Sequence, residues 1–510
     1  MPIIGSVIRN AISIRSKLPK DVILKFDARK AQEKILKKLL KKAQFTKFGE
    51  KYGFSDILML DDIISEFQNR VPLYDYQKLY NDWWYRSLNN ESFVTWPGKT
   101  KYFALSSGTS GSSSKHIPVT SDMLRAIKRT SIKQLFSVAN YDLPREFFDR
   151  GILMLGGSTH LQYNGTYYEG DLSGITTGNI PFWFQHFYKP GSRISKERDW
   201  NIKLDEIVKK AKDWDIGVIC GVPAWLQILL EKIIEYYKVD TIHDIWPNLT
   251  IYVHGGVSFT PYQKGFEKLL SKPLTYIETY LASEGFVAYQ SYPNAKGMDL
   301  VLDNGIFFEF VPFNSTNFDE ENNLLSDAQV LTIEEVELGK EYALLLSTVS
   351  GAWRYLIGDT IKFVDINKHE IVITGRTKFF LNNCGEHLSQ DNMNRAIELA
   401  SEKLHVDIRE FSVAAVKYDN MFAHKWFIGS DDDINIDLLK GEIDGNLKKL
   451  NDDYRVERIA AIKDIIIERY PVKVFYDYMK LIGKEGSQNK FPRVLKGERL
   501  NDWEEYLRDK

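Results

Sequence analysis

The run Ser106-Ser107-Gly108-Thr109-Ser110-Gly111-Ser112-Ser113-Ser114-Lys115 is the segment best equipped for chemistry. Small residues let a backbone come close to a phosphate, and their amides and hydroxyls can donate to its oxygens. Lys115 adds positive charge. The Gly-Lys-Ser/Thr that a Walker A loop carries after its second glycine is missing. A flexible surface linker is the alternative. Against it stands the position of the run, after strand-like 102–105 and before a helix expected near Thr120.

Four shorter signals follow along the chain. In His254-Gly255-Gly256-Val257-Ser258 a nucleobase could lie flat on glycine backbone, or the pair of glycines makes a tight turn. In Tyr280-Leu281-Ala282-Ser283-Glu284 the tyrosine offers a face to a purine, and the carboxylate could hold Mg²⁺ bridging phosphate oxygens. A solvated glutamate after a strand fits that segment too. In Tyr355-Leu356-Ile357-Gly358-Asp359 the carboxylate could accept both hydroxyls of a ribose, or Gly-Asp forms a β-turn. Gly375-Arg376-Thr377-Lys378 either binds phosphate or ends a domain, and the structural role is favoured. Other chemistries fail. The nine histidines include no H-E-x-x-H, and there is neither a G-x-S-x-G elbow nor a G-x-G-x-x-G fingerprint. His254 and His424 read as packed residues.

The elements that must position these residues are visible as periodicity. Ile35, Leu36, Leu39, Leu40 and Ala43 recur among lysines at helical spacing over 29–45. Short apolar runs at 102–105, 152–155, 216–220, 250–254, 275–280, 306–311 and 343–347 read as strands, with helical stretches at 121–139, 203–213 and 224–237. Such alternation indicates an α/β architecture with a largely buried sheet, whose ligands sit in loops at strand ends. Beyond Arg376 the texture changes. Strand-like 411–417 and 425–429, a helix at 436–450, a strand at 465–467 and a helix at 473–482 suggest a small α+β unit. The expected division is 1–378 and 379–510.

At 510 residues the chain exceeds one ordinary domain. A formal charge of −2 gives no global field that would attract nucleic acid. Two cysteines, Cys220 and Cys384, make no disulfide framework, which fits a reducing compartment. Arg9 and Arg15 interrupt the apolar N-terminus, so an amphipathic first helix is expected rather than a signal peptide. No stretch reaches the roughly 18 apolar residues of a membrane span. A cytoplasmic protein without membrane or nucleic-acid partners is the expectation. The oligomeric state stays open, with a monomer favoured.

The order of these signals, ending in a late lysine, is the motif order of adenylate-forming enzymes. More closely, the chain resembles the Gretchen-Hagen auxin-responsive family of acyl-acid amido synthetases. The resemblance is carried by 106–118 (SSGTSGSSSKHIP), 170–175 (GDLSGI), 221–225 (GVPAW), 307–312 (FFEFVP), 355–359, 447–455 (LKKLNDDYR) and 488–493 (QNKFPR). It implies a large N-terminal domain built on β-sheets flanked by helices, holding nucleotide and acid, and a smaller mobile α+β C-terminal domain. It further implies that Ser106, Ser107, Gly108, Thr109 and Ser110, with Lys115, cradle the phosphates of ATP. Gly256 and Val257 would meet the adenine, with Tyr280 against its face and Asp359 and Arg376 at the nucleoside. Glu284 would ligate Mg²⁺, and Lys490 would stabilise the α-phosphate during adenylation. Three departures bear on the hinge and the substrate: Leu356 replaces an arginine common in plant members, Asn489 replaces a tyrosine, and Lys378 stands where related superfamilies often use an aspartate.

The reaction so implied joins a small carboxylic acid to an amine, most simply an amino acid, through an acyl-adenylate. The alternatives are an acyl-CoA synthetase using the same adenylation step and a non-catalytic nucleotide- or acid-binding module.

Overall fold

The computed structural model describes residues 27–106, 115–141, 143, 147, 149–180, 184–256, 259–319, 322–377, 381, 388–418, 421–451, 454–455, 458, 462–486, 490–508 and 510. The expected first helix, together with Ser107, Gly108, Thr109, Ser110, Val257, Lys378, Cys384 and Asn489, lies outside them.

Helix α1 (Ala28–Ala43) begins where the Asp27 side chain accepts the Lys30 amide, and its stripe of Ile35, Leu36, Leu39 and Leu40 is buried. Gln32 on the same face donates to the carbonyls of Leu302 and Ile306 and accepts the Phe308 amide, fixing the helix against the sheet.

Strands β1 (Tyr102–Ser106) and β2 (Lys115–Val119) are antiparallel, with Ser106 opposite Lys115. The Ser/Gly/Thr run therefore joins two strands, the second of which the sequence did not show, and the helix expected near Thr120 follows it. Ile117 and Val119 are buried and β-branched, so residues 115–119 extend. Helix α2 (Ser121–Ser137) starts only at its cap, where the Thr120 hydroxyl accepts the Met123 amide.

The central sheet contains β3 (Gly151–Leu155), β4 (Ile216–Gly221), β5 (Ile251–Gly255), β6 (Thr275–Ala282) and β7 (Gly285–Tyr289). It continues with β8 (Met298–Leu300), β9 (Ile306–Pro312), β10 (Glu341–Thr348), β11 (Tyr355–Asp365) and β12 (Glu370–Arg376). Among the described residues the order is β9-β10-β11-β12-β8-β7-β6-β5-β4-β3, closed by the two-residue strand Tyr188–Lys189. Strands β3 to β6 and the short strand Tyr188–Lys189 are parallel and the remainder antiparallel. Helices α3 (Pro223–Tyr237) and α4 (Thr260–Lys268) serve the parallel half, burying Leu226, Leu229 and Phe266 with Ile219 and Tyr252. Covered strands of this kind read as unbroken apolar runs, which is why the sequence revealed them.

A separate three-stranded sheet holds β13 (Glu410–Tyr418), β14 (Met421–Gly429) and β15 (Ile462–Tyr470). Helices α5 (Gln390–Leu404) and α6 (Ile436–Leu450) bury Met393, Ile397, Leu439 and Ile443 with Val413 and Trp426. On the other face α7 (Val472–Leu481) and α8 (Glu498–Leu507) bury Phe475 and Trp503 with Ala414, Phe427 and Phe491. The two-residue alternation of β13 and β14 thus feeds two cores. No helix among the described residues is long and apolar enough to cross a membrane.

Candidate active site

Glu284 occupies the turn from β6 to β7 and is 6% exposed. Burial raises its carboxyl to about 7; Lys115 opposes that rise, Asp359 adds to it and Arg376 opposes it. Lys115 opens β2, directly across from the last residue of β1, so the two ends of the Ser/Gly/Thr run are pinned together beside Glu284. Burial lowers the Lys115 ammonium below its ordinary value, and the Glu284 charge works against that fall. The Lys115 Nζ stands 5.2 Å from the ring centre of Tyr76, whose hydroxyl accepts the His116 amide at 2.9 Å.

Asp359 lies inside β11, opposite Arg376 on β12, and not in a β-turn. Gly358 precedes it at φ +91°, a conformation that favours glycine, and a shift of register follows within the ladder. Arg376 Nε meets one Asp359 oxygen at 2.7 Å, and the Tyr280 hydroxyl donates to the other. Each carboxylate oxygen keeps acceptor capacity for a further donor, since the pair can take about four. Burial opposes the Arg376 charge, yet Asp359 and Tyr280 carry it above its ordinary value. Tyr355 lies next to Glu284, and its complete burial, followed by the Glu284 charge, holds the phenol well above its ordinary value.

Gly256 ends the β5 strand run at φ +84°. A Cβ built there would stand 3.3 Å from Lys490 Nζ. Lys490 thus arrives from the C-terminal end of the chain onto the glycine loop of the central sheet. Its side chain is exposed, with protein atoms crowded around it; that crowding and then Arg376 lower its ammonium to about 8, while Asp359 opposes the fall.

The structure therefore gathers Lys115, Gly256, Tyr280, Glu284, Asp359, Arg376 and Lys490 into one cluster, with Ser106 paired across from Lys115. Three cations against two carboxylates leave a local excess of positive charge, matched to a polyanion. The Tyr280 hydroxyl is already committed to Asp359. His254 is packed away, stacked on Phe259 at 4.8 Å and lowered to about 4 by burial, and His424 is fully buried. Sequence reasoning missed Tyr76 and assigned Tyr355 no role. Tyr355 sat inside a quoted motif, whereas nothing local marks Tyr76, which meets Lys115 only through the fold.

Family models for the GH3 family N-terminal, central and C-terminal domains match residues 24–196, 300–376 and 391–499. An indole-3-acetic acid-amido synthetase of Arabidopsis thaliana, GH3.2, is 25% identical over 169 residues, 31% of this chain and 30% of that protein. A jasmonoyl-L-amino acid synthetase of Nicotiana attenuata, JAR6, is 21% identical over 444 residues, 74% of each chain. The first of these alignments spans less than a third of its relative's length. Among solved structures, the GH3.15 acyl acid amido synthetase superposes with a TM-score of 0.77 at 15% identity, covering 98% of this chain and 96% of that one. A 2-hydroxyisobutyryl-CoA ligase in its postadenylation state superposes with a TM-score of 0.60 at 12% identity, covering 94% and 92%. The fold is the α/β fold of these adenylate-forming proteins, with a large N-terminal and a smaller C-terminal part. With all three domain models matched in order over more than half of its length, the chain belongs to the GH3 family.

Proposed function

We propose that this chain is an acyl-acid amido synthetase that activates a small carboxylic acid with ATP and passes the acyl group to an amino acid. The observation that carries the reading is Lys490, delivered from the C-terminal end onto Gly256 and within electrostatic reach of Asp359 and Arg376. A carboxylate is a poor electrophile, because its charge repels nucleophiles and its oxygen leaves badly. Attack of a carboxylate oxygen on the α-phosphorus of ATP breaks the bond to pyrophosphate and yields a mixed anhydride. The amine nitrogen then attacks the acyl carbon, AMP leaves, and the nitrogen loses a proton.

In this reading Lys490 meets the charge that grows on the α-phosphate, the part of the path where a fixed cation helps most. Lys115 and residues 106–110 hold the outer phosphates. Asp359, with its spare acceptor capacity, takes the ribose hydroxyls while Arg376 keeps its carboxylate oriented. Gly256, Val257 and Tyr280 bound the adenine. Glu284 fits a Mg²⁺ ligand, since a buried carboxyl balanced near 7 gives up its proton readily to a divalent cation. Mg²⁺ bound there would offset phosphate charge. Residues 1–378 form the ATP- and acid-binding unit and 379–510 the lid that brings Lys490 and excludes water. The relatives are named as an indole-3-acetic acid-amido synthetase and a jasmonoyl-L-amino acid synthetase, which supports the substrate classes. A cytoplasmic location agrees with the use of ATP.

Pyrophosphate release across a panel of carboxylic acids tests the proposal, followed by amino acids or coenzyme A added to the best acid. Acid-dependent release with an amide product and no need for coenzyme A is expected. A thioester product would replace the amide step by the acyl-CoA synthetase reading, and silence with every acid would leave only a binding module.

A further inference from the structure

We propose that Glu410 is a positioning residue, a buried carboxylate that ties Tyr262 to Arg493 and so sets Lys490 over Gly256. The inference rests on the proposed role of Lys490. Glu410 opens β13 and is 2% exposed. One of its oxygens accepts Arg493 at 2.6 Å, and the other accepts the Tyr262 hydroxyl at 2.7 Å. Arg493 is buried too, donates also to the Phe411 carbonyl at 3.0 Å, and lies 4.5 Å from the Phe411 ring centre. Tyr262 sits on α4 of the central-sheet layer, six residues after Gly256. Arg493 follows Lys490 by three. The segments 256–262 and 490–493 are therefore joined twice, at Gly256 with Lys490 and at Tyr262 with Arg493 through Glu410.

The Arg493 end cannot drift by itself. The Val413 amide donates to the Arg493 carbonyl and the Leu495 amide to the Val413 carbonyl, each at 2.9 Å, so a parallel bridge at Val494 ties 493–495 to β13. Phe491, between Lys490 and Arg493, is buried against Phe475 and Trp503. At its centre this assembly is held to α4 by the Tyr262 hydroxyl, which donates to Glu410 and accepts Arg493 Nη2 at 3.5 Å. Charge-assisted bonds of this kind are short and directional, which suits a part that fixes a register.

Removing the Glu410 carboxylate would strand the Arg493 cation and disrupt this face, so the informative change is Tyr262→Phe, which deletes one hydroxyl and leaves the ion pair intact. ATP–pyrophosphate exchange is measured for the wild type, Tyr262→Phe, Lys490→Ala and the double variant. Tyr262→Phe is expected to slow exchange about tenfold with the KM for ATP changed less than about twofold, and to cost nothing further once Lys490 is gone. Losses that multiply in the double variant would make Tyr262 a general structural residue and overturn the proposal. Hydrogen exchange at the Leu495 amide needs no activity, and Tyr262→Phe is expected to quicken it about tenfold. An unchanged Leu495 amide overturns the tie even if no acid supports catalysis, which separates its failure from that of the proposed activity.

Discussion

The two ionisable groups with the most telling shifts are Glu284, raised to about 7, and Lys490, lowered to about 8. Both moves disfavour charge, because burial is the first cause in each case. The signs set a pH profile. Below about 7 Glu284 holds its proton and cannot ligate a cation, so adenylation rises with pH through that value. Above about 8 Lys490 loses its charge, so the rate falls. A bell-shaped profile is expected, and raising Mg²⁺ should shift its acidic limb to lower pH by competing for the Glu284 proton. Lys490→Arg should remove the alkaline limb, since a guanidinium stays charged; an alkaline limb that survives the exchange would free Lys490 of responsibility. Asp359→Asn keeps the shape but deprives Arg376 of its counter-charge, and the KM for ATP is expected to rise about tenfold or more, read by steady-state kinetics.

At the scale of elements, Gly256 is where backbone conformation meets the proposed site. Its φ of +84° costs any other residue about 1–2 kcal/mol, measurable as lost stability in urea. A methyl there would also press Lys490 Nζ from 3.3 Å, so Gly256→Ala is expected to lower pyrophosphate exchange about tenfold beyond the stability loss. Exchange at the wild-type rate in a weakened but folded variant would separate the glycine from the lysine. The strands that carry such loops were legible because the parallel half of the sheet is covered on both sides, as the runs at β4 and β5 show. Strand β2 was not, since His116-Ile117-Pro118-Val119 is short, holds a proline and adjoins a helix cap. Its identity comes from pairing with β1, a tertiary fact. Asp359 was read as a possible turn for the same reason: Gly-Asp favours turns locally, and only the ladder with Arg376 keeps it extended.

At the scale of the whole molecule, the fold joins residues hundreds of positions apart, and that is the part a sequence reports least. Lys115, Glu284, Asp359 and Lys490 could each be singled out, yet their meeting depends on the sheet order and on how β13 and its partners sit against α4. Tyr76 and Tyr262 left no signal, because an aromatic with a hydroxyl is ordinary core until its partner is known. Arg493 lay within a quoted segment without its purpose showing. The proposed activity requires that the late lysine act in the adenylation step assigned to the central sheet's loops. Acid-dependent ATP–pyrophosphate exchange by Lys490→Ala, beside a direct measurement of ATP binding, tests it. Exchange is expected to fall by about 10²-fold or more while ATP binds as before. Exchange at the wild-type rate would contradict the account.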